Sequence, residues 1–203
     1  LRKCVEQAGF SVAEFVLSPL AASLAVLSPD ERELGVAMVD LGGGSTTVSL
    51  FQAGRIRHTA SLLCAGGHVT TDIVHGLQVT QQEAERIKER FGAAYEPLVP
   101  ESDSIDLPST PAQGPRTAAR RVLAHIMHAR LQEVLEFASD EINRAGYHQR
   151  FPAGVVLTGG GALAPGIVEL AREVFASPVR VGAAGHGLTG LADSVESPRF
   201  SVA

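Results

Sequence analysis

Residues 40–47 read Asp-Leu-Gly-Gly-Gly-Ser-Thr-Thr and lie between two short apolar runs, Val36-Ala37-Met38-Val39 and Val48-Ser49-Leu50-Phe51. Runs of this length bounded by turn residues predict buried strands, with the glycine-rich stretch as the hairpin between them. Three glycines free the backbone from the usual φ limits, so the turn can be sharp and come close to a ligand. Successive N–H groups in such a turn form a concavity that accepts phosphate oxygens. Asp40 ends the first strand and would face that concavity, where a carboxylate could hold Mg²⁺ through water, because this ion keeps several of its waters. Asp40, Gly42, Gly43, Gly44, Ser45 and Thr46 are therefore candidate binding residues, with Asp40 the candidate metal residue. A hairpin with no ligand is the alternative.

A second glycine-rich loop, Thr158-Gly159-Gly160-Gly161-Ala162, follows the apolar run Val155-Val156-Leu157 and precedes a helical pattern over 165–175. A helix N-terminus at this point would offer unpaired N–H groups and partial positive charge to a phosphate or ribose-phosphate edge. Glycines there also let an adenine ring lie flat on the backbone. Neither loop fits the Gly-Lys-Ser/Thr phosphate-loop pattern, and no Gly-x-Gly-x-x-Gly opens a dinucleotide-binding unit.

Between these loops the pattern is mixed. Residues 1–9 read as a helix end closed by Gly9, and Val12, Phe15, Val16 and Leu17 as a strand-like run. An Ala-rich helix follows over 20–27 with Pro19 in its first turn, then a polar linker, Ser28-Pro29-Asp30-Glu31-Arg32. Strands at about 35–40, 46–52 and 55–63 make an antiparallel meander turning at Gln52-Ala53-Gly54. Gly66-Gly67 leads into Thr70-Thr71-Asp72, cap chemistry for a helix over 69–77, and Thr80-Gln81-Gln82-Glu83 is a capping box for one over 84–91. On that second helix Glu85 and Lys88 share a face. Residues 93–118 carry five prolines and read as loops, with an edge strand at Ser104-Ile105-Asp106-Leu107. From 117 to 146 the pattern is helical, with Val122, Ile126, Leu131, Val134, Leu135, Ala138 and Ile142 as the buried stripe. Val179-Arg180-Val181 reads as a strand, residues 182–188 as a glycine-rich connection, and 191–198 as a short helix or loop.

Composition narrows the classes further. With 203 residues, 45% hydrophobic and 19% charged, the chain has material for one large domain or two small ones. A net charge of −5 gives no reason to expect nucleic acid as a partner. Cys4 and Cys64 have no metal or redox spacing and read as reduced thiols of a cytoplasmic protein. The sequence opens at Leu1 rather than Met and stops in what reads as an unfinished element, so a piece of a longer protein is expected.

An Asp-Leu-Gly-Gly-Gly-Ser-Thr hairpin followed more than 100 residues later by Thr-Gly-Gly-Gly-Ala resembles the second half of the actin/Hsp70/sugar-kinase superfamily. Within it the chain is most similar to the bacterial cell-division family FtsA. That likeness is carried by Pro19-Leu20-Ala21-Ala22-Ser23, Gly66-Gly67-His68-Val69-Thr70-Thr71-Asp72-Ile73, Ala84-Glu85-Arg86-Ile87-Lys88, Ala129-Arg130-Leu131-Gln132-Glu133-Val134-Leu135-Glu136, and Gly190-Leu191-Ala192-Asp193-Ser194-Val195 before Pro198-Arg199-Phe200. The resemblance implies an α/β fold: one actin-like (ribonuclease H-like) ATPase lobe, a mixed sheet with helices plus a smaller outer subdomain. Residues 1–34 would close the first actin-like subdomain, 35–68 and 147–203 would form the inner nucleotide-binding subdomain, and 69–146 the outer one.

The resemblance further implies ATP and Mg²⁺, with phosphates on Gly42, Gly43, Gly44, Ser45 and Thr46, and Gly66 and Gly67 nearby. Adenosine would lie on Gly159, Gly160, Gly161 and Ala162, and ribose or adenine near Glu85 and Lys88, which could equally be an exposed helical pair. It implies binding to FtsZ, self-association into actin-like filaments and contacts with other division proteins. It also implies work at the cytoplasmic face of the membrane at the division site, attached only through a C-terminal amphipathic helix not included here. Hydrolysing relatives often carry Glu where this chain has Ser18; a hydroxyl is a poor general base, so at most a weak ATPase is expected. Two rivals share the superfamily. An exopolyphosphatase usually has Glu where Thr47 stands, and a pilus-assembly adaptor ATPase would bind a peptide of a membrane protein.

Other residues read more plainly. His125 and His128 are three apart on a helix without a third metal ligand in view, and His68, His75 and His186 read as surface or turn residues. Arg130, Glu133 and Glu136 form a solvated face that could border a partner surface.

Overall fold

The computed structural model describes residues 1–108, 114, 116–147, 151–184 and 197–202. Three strands open the sheet: β1 (Val36–Leu41), β2 (Thr46–Gln52) and β3 (Arg55–Leu62), joined as antiparallel neighbours. Ala53 and Gly54 connect β2 to β3 with φ of 52° and 69°, the two positive values that a two-residue hairpin turn needs. A separate antiparallel pair, β4 (Ser104–Leu107) and β5 (Arg116–Ala119), stands apart from this sheet. β6 (Val155–Thr158) and β7 (Val179–Val181) then add in parallel on the other side of β1, giving the order β3-β2-β1-β6-β7.

The β1–β6 register sets Asp40 opposite Thr158, while β2 sets Thr47 on its other side. A parallel join requires a long crossover. It is supplied by α4 (Gly66–Leu77), α5 (Gln81–Phe91) and α6 (Arg120–Arg144), and α7 (Ile167–Phe175) crosses from β6 to β7. Near the N-terminus are α1 (Arg2–Gln7), α2 (Ser18–Val26) and α3 (Pro29–Leu34).

Strand alternation distributes the core on both faces of the sheet. Ala37, Val39, Leu41, Val48, Leu50 and Leu157 face the larger cluster, with Ile73 of α4, Leu123 and Leu135 of α6 and Leu170 of α7. Val36, Met38, Phe51 and Val156 face the smaller one, with Ala22 and Val26 of α2. Cover on both faces is why β1 and β6 read as continuous apolar runs. Each fully buried Leu or Ile contributes about 1.5–3 kcal/mol.

Several sequence expectations are corrected. The run at 12–17 has no regular structure; Phe15, Val16 and Leu17 are exposed, and no strand among the described residues lies beside them to supply hydrogen bonds. The polar linker at 28–32 is the start of α3. Its signal was a capping box: Ser28 Oγ accepts from Glu31 N–H (3.2 Å), and Glu31 Oε2 from Ser28 N–H (2.8 Å). Glu31 also receives both arms of Arg180 at 2.7 Å, which pins α3 to β7. The long helix begins at Arg120, since residues 116–119 pair with β4. Its buried face runs through Leu123 and Met127, leaving Val122 47% exposed. Residues 185–196, including His186 and most of the expected last helix or loop, lie outside the described residues.

Candidate functional site

β1 ends between the two glycine loops, and each loop is shaped by contacts with its neighbours. In the hairpin, Gly42 N–H donates to Ser45 O (3.1 Å). The carbonyls of Gly42 and Gly43 accept from Gly66 N–H (3.0 Å) and Gly67 N–H (2.8 Å), the first orphan donors of α4. α4 therefore starts at Gly66, and Thr70 and Thr71 are interior residues whose hydroxyls lie 3.1 Å from Gly66 O and Gly67 O respectively, not the cap expected from their type. Among the described residues nothing accepts from the N–H groups of Gly43 and Gly44.

None of Gly42, Gly43 and Gly44 has a left-handed φ, so the hairpin needs glycine for space rather than for backbone freedom. A Cβ on Gly42 would meet Ser45 O at 2.7 Å, whereas a Cβ on Gly43 or Gly44 would meet nothing within 4 Å. The opposing loop differs. Gly159 has φ +82°, and a Cβ there would lie 2.3 Å from Asp40 Oδ1; one on Gly161 would lie 2.7 Å from Leu41 Cβ. The loop continues as one 3-10 turn, Gly160–Leu163, and α7 starts only after Gly166. The helix expected over 165–175 thus begins at Ile167, and the 3-10 turn separates its N-terminus from the glycines of the loop. Asp40 is half-buried between the loops, and burial pushes its carboxyl pKa up.

A cleft of about 210 Å³ opens in front of these loops. It is lined by Gly42, Gly43, Gly66, Glu85, Lys88, Gly160 and Gly161, seven of the residues marked in the sequence. Lys88 Nζ donates to Glu85 Oε2 (2.8 Å), Thr70 Oγ1 (2.7 Å) and Gly66 O (3.3 Å). Burial pushes the Glu85 carboxyl up, but Lys88 and the Thr70 hydroxyl outweigh it and hold the pKa below its ordinary value.

The other marked residues stand behind this lining. Asp40 and Gly159 meet behind the loops, Gly67 anchors to Gly43, Ser45 closes the hairpin, and Gly44 lies at its tip. Thr46 is buried with Oγ1 donating to Cys64 O (2.7 Å), and Ala162 lies in the core. Sequence reasoning passed over Thr70 as a site residue, and also Leu163, Ala164 and Pro165 on the far wall and Arg199 and Glu89 (3.8 Å apart) at the rim. Only the helical spacing of Glu85 and Glu89 could have pointed to the last. Elsewhere His125 Nδ1 lies 2.8 Å from Glu96, and His128 Nδ1 lies 3.1 Å from Ala94 O. Arg130 forks onto Asp72 (2.5 and 3.1 Å) and also pairs with Glu133.

The family profile described as "Cell division protein FtsA" matches residues 37–203. The chain belongs to the FtsA family. It is 41% identical over 201 residues to the cell division protein FtsA of Pseudomonas aeruginosa, covering 99% of this chain and 48% of that protein. To the Escherichia coli K12 FtsA it is 37% identical over 208 residues, covering 99% and 49%. The chain thus spans about half the length of the curated relatives it matches. Among solved structures it is similar to Spiroplasma citri MreB5 bound to ADP (TM-score 0.73, 20% identity, 89% of this chain and 59% of that one). It is also similar to a chain of the PilM–PilN type IV pilus biogenesis complex (TM-score 0.65, 15% identity, 97% and 52%). These likenesses are of fold: this FtsA-family chain has the actin-like α/β architecture. Among the described residues no helix is long and apolar enough to cross a membrane.

Proposed function

We propose that this FtsA-family chain is the nucleotide-binding half of an actin-like scaffold of bacterial cell division, taking ATP with Mg²⁺ in the cleft between its glycine loops. The observation that carries the reading is the convergence of the two loops on one cleft, with free N–H groups and open space at Gly43 and Gly44. The residues present fit the ligand. Gly43, Gly44 and Ser45 would hold phosphate oxygens, and Asp40 would hold Mg²⁺ through water. Gly160 and Gly161 would lie along adenosine, and Glu85 would accept from the sugar. Gly42, Thr46, Gly66, Gly67, Gly159 and Ala162 shape the loops, and Lys88 holds Glu85. Bound Mg²⁺ would supply the charge that offsets the phosphates. Ser18, at the exposed start of α2, offers no general base, so hydrolysis is slow at most.

Residues 35–68 and 147–203 act in this reading as the inner subdomain, 69–146 as the outer one, and 1–34 as the end of the first actin-like subdomain and its connecting helix. The family assignment supports FtsZ as partner, met through the outer subdomain, with self-association into filaments and contacts with other division proteins. The scaffold works in the cytoplasm at the membrane face of the division site, attached through a C-terminal amphipathic helix. Co-sedimentation tests the partner: the intact protein with ATP should pellet with assembled FtsZ. Release of phosphate from polyphosphate without FtsZ binding would overturn the reading in favour of a phosphatase.

A further inference from the structure

Thr70 is 1% exposed, and its hydroxyl sits where α4, α5 and the hairpin meet. It lies 2.5 Å from Glu85 Oε2, 2.7 Å from Lys88 Nζ and 3.1 Å from Gly66 O. A hydroxyl donates once and accepts through its lone pairs. The Lys88 ammonium must donate to it, and its own proton goes to the shorter, charge-assisted bond with the carboxylate. Lys88 then has three protons and three acceptors: Thr70, Glu85 and Gly66. None is left for a ligand.

The carboxylate is filled on one side only. Both bonds to Glu85 fall on Oε2, and among the described residues none falls on Oε1. Glu85 lines the cleft with its side chain 47% exposed. An ionised carboxylate is an acceptor only, so what Oε1 can take from the cleft is a donor such as a sugar hydroxyl. Without Thr70 the Glu85 side chain would hang on Lys88 alone, and a half-exposed carboxylate held by one ion pair three apart on a helix keeps its geometry weakly.

We propose that Thr70 is a positioning residue of the nucleotide site: its hydroxyl orients Glu85 so that Oε1 selects a nucleotide by its sugar hydroxyl. Lys88 acts with it as a positioning residue and does not touch the ligand. The same group of bonds joins the sugar side of the cleft to the phosphate hairpin, because Lys88 bonds Gly66 O and Gly66 N–H bonds Gly42 O. The proposal rests on the nucleotide reading above. A site built to bond a hydroxyl rejects the analogue lacking it far better than an apolar pocket rejects a size change.

The test is calorimetric titration of the intact protein with ATP, 2′-deoxyATP and 3′-deoxyATP. Wild type should bind ATP at least about tenfold more tightly than one of the deoxy analogues. Thr70→Val, nearly isosteric, should reduce that ratio to about one while weakening ATP less, and Thr70→Ser should restore it. Thr70→Ala removes the hydroxyl without a buried methyl in its place, should Val disturb the helix contact, and melting curves report the fold of each variant. Folded Val and Ala variants that keep the wild-type ratio would overturn the role of Thr70. Wild type binding all three nucleotides equally would overturn the role of Glu85 Oε1 and the proposal with it. Wild type binding none of them would instead refute the nucleotide reading itself.

Discussion

The glycines of the two loops do different work, and alanine substitutions separate them. At Gly159 an added Cβ meets Asp40 Oδ1 at 2.3 Å and Leu41 O at 2.7 Å, in a backbone with φ +82°. The left-handed conformation costs a non-glycine residue roughly 1–2 kcal/mol. Overpacking against strand backbone that cannot swing away adds roughly 1–3 kcal/mol. Gly159→Ala should therefore destabilise by about 2–5 kcal/mol, a fall in melting temperature on the order of 10 °C for a domain of this size. At Gly43 the added Cβ meets nothing within 4 Å and φ is not left-handed. Gly43→Ala should stay within about 0.5 kcal/mol of wild type, as surface substitutions do. Scanning fluorimetry of the two variants of the intact protein, without nucleotide, reads the difference. Equal melting temperatures, or a larger loss at Gly43 than at Gly159, would refute the division of labour argued from the loop geometry.

Three further outcomes follow from the same structure. Burial raises the Asp40 pKa, so the cost of its charge is absent below the ordinary value of 3.8 and grows as pH rises through the raised one. Ligand-free Asp40→Asn should thus be more stable than wild type at pH 7, by about 1 kcal/mol, and gain nothing at pH 3, while nucleotide binding loses its Mg²⁺ dependence. At Glu31 burial works against ionisation, but Arg180 and Ser28 prevail and lower the pKa, so this contribution is present above 4.5 and lost as pH falls through the lowered value. Arg180→Ala should cost about 1 kcal/mol, since the pair is partly exposed, and acid titration should show the deficit shrinking towards low pH. Leu123→Ala should cost about 2–5 kcal/mol in urea unfolding, and Val122→Ala close to nothing, because Leu123 is fully buried and the adjacent Val122 lies off the buried face.

Features encoded over a few adjacent residues were legible. The strands β1 to β3, the Ala53-Gly54 turn, the Thr80 cap of α5 and both glycine loops could be read without coordinates. Elsewhere residue type alone misleads. Ser28 and Glu31 looked like linker chemistry until their mutual bonds made them a capping box. Thr70 looked like a cap because threonine favours caps, but the carbonyls of Gly42 and Gly43 already occupy that end of α4. The stripe on α6 runs through Leu123 rather than Val122, since a helix of 25 residues with many apolar side chains admits more than one face. Pairs remote in sequence left no local signal at all: Glu31 and Arg180 are 149 positions apart. The same holds for the far wall of the cleft at Leu163, Ala164 and Pro165, which meets the hairpin only because β6 lies beside β1.

The central claim is that the open space at Gly43 and Gly44 would take a nucleotide phosphate. Calorimetric titration of the intact protein with Mg²⁺-ATP, for wild type and for Gly43→Val, tests it most directly. Saturable binding by wild type, weakened at least about tenfold in a Gly43→Val variant with an unchanged melting temperature, is the predicted result. Equal affinity in the two proteins, or no binding by either, would contradict it.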